Sequence, residues 1–508
     1  MYRLKNVFLV FAFFTLLITN IFAQSPVKYP QNINQYKSQK SYQMGLGIGS
    51  VTLNGKRYNQ ISLRPEFSIG KLGIGLDMYV YLDEKGNIRE GDWDEFSDYL
   101  KKIYYIRWGN PNDSLYARAG ALEDVTMGYG ILMDGYANTI QYPQVRNVGI
   151  HAGMKFQKFS WEAFVADINE LDNPGLLGLR STLTPFDDIF PIKFGASFVM
   201  DGNPYAGLID NDGDGVPQQL DIYDGDDNQF LTKLRNNPGL VNDLRKLRQG
   251  GQEIPDSSVI KNGLPKIGDY DKKPAKAIAI DASYPILKMD NFVMDMYGQA
   301  ASFLSDQKIS AENDANFEPG WGYAFPGFRA EIMKNITAKV EYRYADKHFL
   351  FNFWNRNYDF ERVQIKNTNI YTKQEMKLYN PNPAKGIYGS IRAELFDWVR
   401  IGSYYQHMRT SEKKIRSFQA SISLNPRRIP RISEATAYYQ RNNDENPFKF
   451  CSPSENTILG YRIGLEISEG ANLYYVFKKS YRDTNGDGII SPDQEAVVIN
   501  SIETGITF

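Results

Sequence analysis

The 508-residue sequence contains one cysteine, three histidines and a formal net charge of only −1. With Cys451 alone, no disulfide framework can form within the chain. His151, His348 and His407 are scattered, and none makes a local metal-ligand pair with another histidine or with Cys451. The near-zero charge lacks the basic excess of a nucleic-acid binder, so no nucleic-acid partner is expected. Mean hydropathy is −0.45, and beyond the N-terminus no stretch is apolar enough to cross a bilayer as a helix. That excludes a polytopic helical membrane protein. Glycine loops with a following lysine for phosphate are absent. No local set of serine, histidine and acid proposes a hydrolytic triad, so enzymatic activity is not expected.

Aromatic residues, by contrast, make up 14% of the chain, too many for a disordered protein. Residues 1–23 read as a secretory signal: Arg3 and Lys5 precede an apolar run from Val7 to Ile18, and Ala23 suits the last position before cleavage. The run is short for a transmembrane helix, which needs about 20 apolar residues. Residues 24–40 follow as a polar, extended segment taken to be periplasmic.

From residue 41 to 508 the dominant signal is alternation with period two. Ala338, Val340, Tyr342 and Tyr344 alternate with Lys339, Glu341 and Arg343. Ile391, Ala393 and Leu395 alternate with Arg392 and Glu394, and Tyr461, Ile463, Leu465 and Ile467 with Arg462 and Glu466. Successive strand side chains point to opposite faces, so each segment has an apolar and a polar face. Many segments reach ten residues, the length a tilted strand needs to cross a bilayer, against about five or six for an ordinary strand. The connections alternate between short and long, as in barrels with short periplasmic turns and long outer loops. The pattern predicts an all-β, transmembrane antiparallel barrel of about 18–20 strands. Counting is inconsistent between Asn110 and Pro191, where Met127–Met133 reads either as a wall strand or as a segment folded inward.

The chain ends in Phe508, with Ile502, Thr504 and Ile506 on the same face. Together with the signal segment and the strand series, this resembles bacterial outer-membrane β-barrel proteins of the porin-like kind. The resemblance implies a bacterial cell outer-membrane location, lipid around the barrel, and the barrel-assembly machinery as a partner that reads the final strand. A plugged 22-strand transporter is disfavoured, because only residues 24–40 precede the first strand.

Two acidic loops point to calcium as a structural cofactor. Asp210, Asp212 and Asp214, with Gly215 and then Asp221, place oxygen ligands at the first, third, fifth and twelfth positions of a loop. That spacing suits calcium, a hard cation that takes six to eight oxygens. The stretch resembles a thrombospondin type 3 calcium repeat, departing from it at Gln218. Asp483, Asn485 and Asp487 resemble the start of an EF-hand loop, although Gln494 stands at the closing position. Both loops also read as solvated turns. The first lies in a 201–274 insertion, expected to be extracellular, whose later part turns helical with Leu240, Val241, Leu244 and Leu247 at helical spacing.

The expected function is a porin or passive channel for small polar solutes. Its pore-lining residues would be Arg107, Lys339, Glu341, Arg343, Arg392, Glu394, Arg400, Arg462 and Glu466. The alternative is an adhesion or binding protein, in which calcium-stiffened loops take an unknown surface ligand and the barrel is an anchor.

Overall fold

The computed structural model describes residues 42–507 with interruptions, of which 209–273, 305–319 and 482–489 are the longest. The signal segment, residues 24–40, both calcium-like loops, the helical part of the insertion and Phe508 lie outside the described residues.

Two long strands open the wall, β1 (Tyr42–Leu53) and β2 (Lys56–Ile69). Short ones follow: β3 (Leu72–Leu76), β4 (Met78–Leu82), β5 (Ile103–Trp108), β6 (Leu115–Gly120), β7 (Gly149–Lys155), β8 (Phe159–Val165), β9 (Leu176–Leu183) and β10 (Lys193–Asp201). The strands then lengthen: β11 (Ala275–Met289), β12 (Phe292–Phe303), β13 (Trp321–Ile332) and β14 (Ile336–Ala345). The connection that follows holds a helix α1 (Tyr358–Glu361), a small hairpin of β15 (Val363–Lys366) and β16 (Asn369–Thr372), and α2 (Lys373–Leu378). The wall resumes with β17 (Ala384–Leu395), β18 (Val399–Arg409), β19 (Lys414–Leu424), β20 (Ile432–Asp444), β21 (Thr457–Ser468), β22 (Ala471–Tyr481) and β23 (Ala496–Thr507).

All of these except the small hairpin form one sheet of 21 antiparallel segments. Outside β3–β5 each pairs with its sequence neighbours, β3 pairs with β5, β14 pairs with β17, and β1 pairs with β23, which closes the ring. β3 and β4 both pair with β2 and are separated only by Asp77, so they share one stave, and the described residues form a barrel of twenty. The even count and the alternation of short and long connections match the sequence pattern. The disputed Met127–Met133 stretch is not a wall strand; its residues form turns inside the barrel. The closing junction spans only four residue pairs, Gly45↔Thr507 to Ile48↔Thr504. The β5–β6 junction is equally short, Tyr105↔Gly120 to Trp108↔Ala117, whereas those of the long strands are longer, as in the eleven pairs from Lys385↔Arg409 to Leu395↔Val399.

The wall is apolar outside and polar inside. On β14, Val340 is 59% exposed on the outer face while Glu341, one residue on, is 0% exposed on the inner face. Ile278, Ile280, Ile387, Ile391, Ile463 and Leu465 repeat the outward pattern. Outward aromatics mark both rims. Trp321, Tyr323 and Tyr344 stack in a ladder at the long-loop end. Trp108, Phe159, Phe190 and Tyr284 lie toward the short-turn end. An apolar belt between aromatic girdles is the outer surface of a transmembrane barrel.

Candidate functional site: the filled lumen

Two connections fold into the barrel instead of away from it. The first, following β6, starts at Gly120, where φ is +115° and an added Cβ would meet the Tyr104 carbonyl oxygen at 2.3 Å. Only glycine permits that turn without displacing backbone. Leu122, Val125, Met127, Ile131, Leu132, Met133 and Tyr136 are then buried within the lumen. The second follows β14 and buries Phe349, Phe351, Phe353, Trp354 and Tyr358 in the same cluster.

Backbone hydrogen bonds join the two segments. Asn352 N donates to Ile131 O at 2.8 Å, and Trp354 N donates to Leu132 O at 3.1 Å. The Asn352 side chain accepts from Asp134 N at 2.8 Å and donates to Asp134 O at 3.3 Å. A buried backbone group without a partner would be costly, and here each inward segment supplies partners to the other.

The wall makes room for them with small residues. Ala275, Ala277 and Ala279 on β11, Ala301 on β12 and Ala324 on β13 face inward and are buried. At Gly178 a Cβ would approach Phe164 to 2.4 Å and the Met127 sulfur to 2.9 Å. At Gly322 it would approach the Phe349 ring to 2.5 Å. The inner face of β9–β13 is thus a seat cut for the two inward segments, not a wet surface.

Polar networks flank this apolar contact. Tyr297 Oη and Gln299 Nε2 donate to Glu341 at 2.5 and 3.1 Å. Arg343 donates to Glu341 at 2.7 Å and to Gln406 at 2.6 Å. Asp134 lies 3.6 Å from Lys339 and 3.7 Å from Arg392. Burial alone would raise the Asp134 carboxyl, but these cations with Arg343 outweigh it and hold it below the ordinary carboxylate range. Asp201 accepts from Tyr358 at 2.7 Å and from Arg362 at 2.8 Å. Tyr136 donates to Asp359 at 3.2 Å. Burial pushes Asp359 up to about 6, and the nearby Glu170 up to about 7.

The residues expected to line a pore all occupy inward rungs of the wall, in different surroundings. Glu341 and Arg343 are sealed beneath the inward segments. Lys339 donates to Tyr129 O of the first segment at 3.2 Å. Arg392 remains half exposed beside Asp134. Glu394 and Arg400 form a 3.2 Å pair toward the short-turn end, and Arg107 there is held by Gly109 O and Asn110 Oδ1 at 3.0 and 3.1 Å. Arg462 pairs with Glu434 at 3.0 Å and lies over the Tyr474 ring, while Glu466 is exposed. The proposed metal ligands Asp210, Asp212, Asp214, Asp221, Asp483, Asn485 and Asp487 lie outside the described residues. Among the described residues no group of three or more acidic, histidine or cysteine side chains could hold a metal.

Sequence reasoning missed the second inward segment, together with Tyr297, Gln299, Gln406 and Asp201. One signal was available: alanine at 275, 277 and 279 marks the start of β11 as an inner face that is neither polar nor bulky.

At the short-turn end, beneath the first inward segment, lies a cavity of about 300 Å³. Lys155, Lys193, Arg180, Arg329, His151 and Glu162 are among its lining residues. His151 and Glu162 are hydrogen-bonded at 2.7 Å, and Arg180 grips Asp281 at 2.6 and 3.0 Å. Lys155, Lys193 and Arg329 leave the cavity cationic on balance.

The sequence matches no protein-family model and no curated protein. Among solved structures the chain is similar to the siderophore receptor PirA from Acinetobacter baumannii, at 8% identity and a TM-score of 0.34, covering 93% of this chain and 81% of that one. It is similar to OccAB3 of the same organism at 9% identity and a TM-score of 0.29, covering 92% and 98%. CdiB, also from Acinetobacter baumannii, matches at 7% identity and a TM-score of 0.25, covering 92% of this chain and 60% of CdiB, so the chain spans less than two thirds of that protein. At such values the likeness carries no argument about activity. The closed ring, its inside-out polarity and its two aromatic girdles define the class: this is an outer-membrane β-barrel protein.

Proposed function

We propose that the protein is an outer-membrane channel for small polar solutes, restricted by the two segments folded into its lumen. The observation that carries this reading is the inner wall, which carries charged rungs such as Lys339 and Arg462 and, at the short-turn end, a cationic cavity. Cations and anions both line the interior, so ion selectivity should be modest. Calcium at Asp210–Asp221 and Asp483–Asp487 would neutralise carboxylates and stiffen the outer loops.

The test is single-channel conductance of the refolded chain in a planar bilayer, with and without calcium. A second chain has residues 126–135 replaced by a two-residue turn. The design is available because Val125 and Tyr136 already face each other, with N–O distances of 2.8 and 3.0 Å. Small steps in the natural chain and larger steps in the shortened one would support a restricted channel. Inserted barrels that stay silent in both forms would reject it. A second reading is favoured by the concentration of the longest connections at one end: a surface-binding protein anchored by its barrel. Removing residues 209–273, which spares Asp201 and its bonds to Tyr358 and Arg362, would then abolish ligand capture and leave conductance unchanged.

A further inference from the structure

On the outer wall at the long-loop end, three cations stand side by side. Lys385 on β17 is in register with Arg409 on β18, and Arg409 with Lys414 on β19. All three are exposed. The next outward rung continues the patch with Ile387, His407 and Arg416. Neighbouring strands are about 4.8 Å apart, so the three charges fall on a line of about 10 Å. Like charges directly opposite one another destabilise a sheet. Among the described residues none of the four cations has an ion-pair partner, and Arg416 Nε is buried with no hydrogen-bond partner. The nearest strand carboxylate, Asp444, is taken by Arg441 and Ser454, each at 2.7 Å; Glu412 lies exposed in the tip turn.

Two rungs below the cations the same face turns aromatic. Tyr405 is in register with Phe418. The β20–β21 loop folds outward over them: Phe448 lies 4.9 Å from Phe418 and 5.9 Å from Tyr405, and Phe450 lies 5.2 Å from Tyr439. The loop is pinned there, because Arg441 donates to Lys449 O and Ser452 O and Tyr439 donates to Pro447 O. Even so, Phe450 is left 66% exposed. Ile391 and Ile422, still lower, belong to the lipid-facing belt. The face therefore has cations at headgroup height, flat aromatic rings beneath them and aliphatic residues below.

We propose that this face of β17–β20 binds a lipid with a phosphorylated headgroup from the outer leaflet. Its phosphates would lie across Lys385, Arg409, Lys414 and Arg416, and its acyl chains along Phe448 and Phe450. The inference rests on the outer-membrane reading of the barrel, and on no assumption about conduction.

The test uses the full refolded chain in non-ionic detergent, with native mass spectrometry to count retained lipid. Diphosphoryl lipid A, its dephosphorylated form and inorganic phosphate are the probes. The natural chain should retain diphosphoryl lipid A and release the dephosphorylated lipid. R409Q/K414Q should bind about ten-fold more weakly, from the loss of two charge-assisted contacts. K385Q alone and F450A should each weaken binding by a smaller factor, and they carry the test if the double variant does not fold. Equal retention by the natural chain and the variants would overturn the proposal. So would equal binding of the dephosphorylated lipid. Displacement of the lipid by millimolar inorganic phosphate would reassign the patch to a soluble anion and also overturn it. Heat-dependent gel mobility reports whether the barrel has formed, so loss of the barrel itself is seen separately.

Discussion

The two faces of β14 differ more than the surface and core of a soluble protein, and in the opposite sense. Outside, Val340 and Tyr342 are exposed; inside, Glu341 and Arg343 are buried. Water is not the medium against the outer face. Because the interior is packed, its charges are held by Tyr297, Gln299 and Gln406 and not by solvent. The inner face obeys the rules of a protein core, and the outer face those of a membrane surface.

Breaking the inner face should have the largest effect. Glu341→Ala leaves Arg343 buried without its carboxylate, which should cost about 3–5 kcal/mol. Urea titration of the refolded barrel in lipid would read it, and Glu341→Gln should recover part of the loss. A loss of less than 1 kcal/mol would mean that water reaches Arg343 and the lumen is open there. The outer face comes next. Val340→Lys places a charge near the middle of the apolar belt and should cost about 2–4 kcal/mol by the same titration. No loss in lipid would remove the membrane reading of this face.

A smaller effect belongs to the junction of the inward segments. The Asp359 carboxyl is raised to about 6 by burial, with Arg362 opposing. In the unfolded chain it would titrate near 3.8, so its contribution to docking is full below that pH and is lost as pH rises through 6. The change is about 1 kcal/mol per pH unit across that window. Hydrogen exchange of residues 352–358 should slow as pH falls from 7 to 4 after correction for intrinsic rates, and Asp359→Asn should flatten the dependence. A natural chain already flat would show that Asp359 is hydrated. The smallest effect is expected at Glu394 and Arg400, an inward pair near the rim and partly exposed. Arg400→Gln should change stability by no more than about 1 kcal/mol. A larger loss would extend the packed interior to the short-turn rim.

The wall was legible because alternation is a local property: Lys339, Glu341 and Arg343 declare an inner face without knowledge of any other strand. The inward bend after β6 left a trace as the miscount around Met127–Met133. The second inward segment left none. Phe349, Phe353 and Trp354 read equally well as a long outer loop, because what draws them in is a pairing with Ile131 and Leu132 more than 200 positions away. The short strands β5–β10 were likewise hidden, since where a strand stops depends on where its partner turns inward. The lipid patch was unreadable for a related reason: Lys385, Arg409 and Lys414 become neighbours only once the register is known.

The four-pair closure between β1 and β23 makes the ring a zipper whose last teeth come from its two ends. Every other junction joins segments that follow each other along the wall, and several are tight hairpins that can form as soon as both arms exist. The last joins Gly45 to Thr507, the most distant pairing in the molecule. Loop-closure entropy and contact order both place such a step late. The order of construction is thus written into the circle: an open ribbon first, a cylinder last.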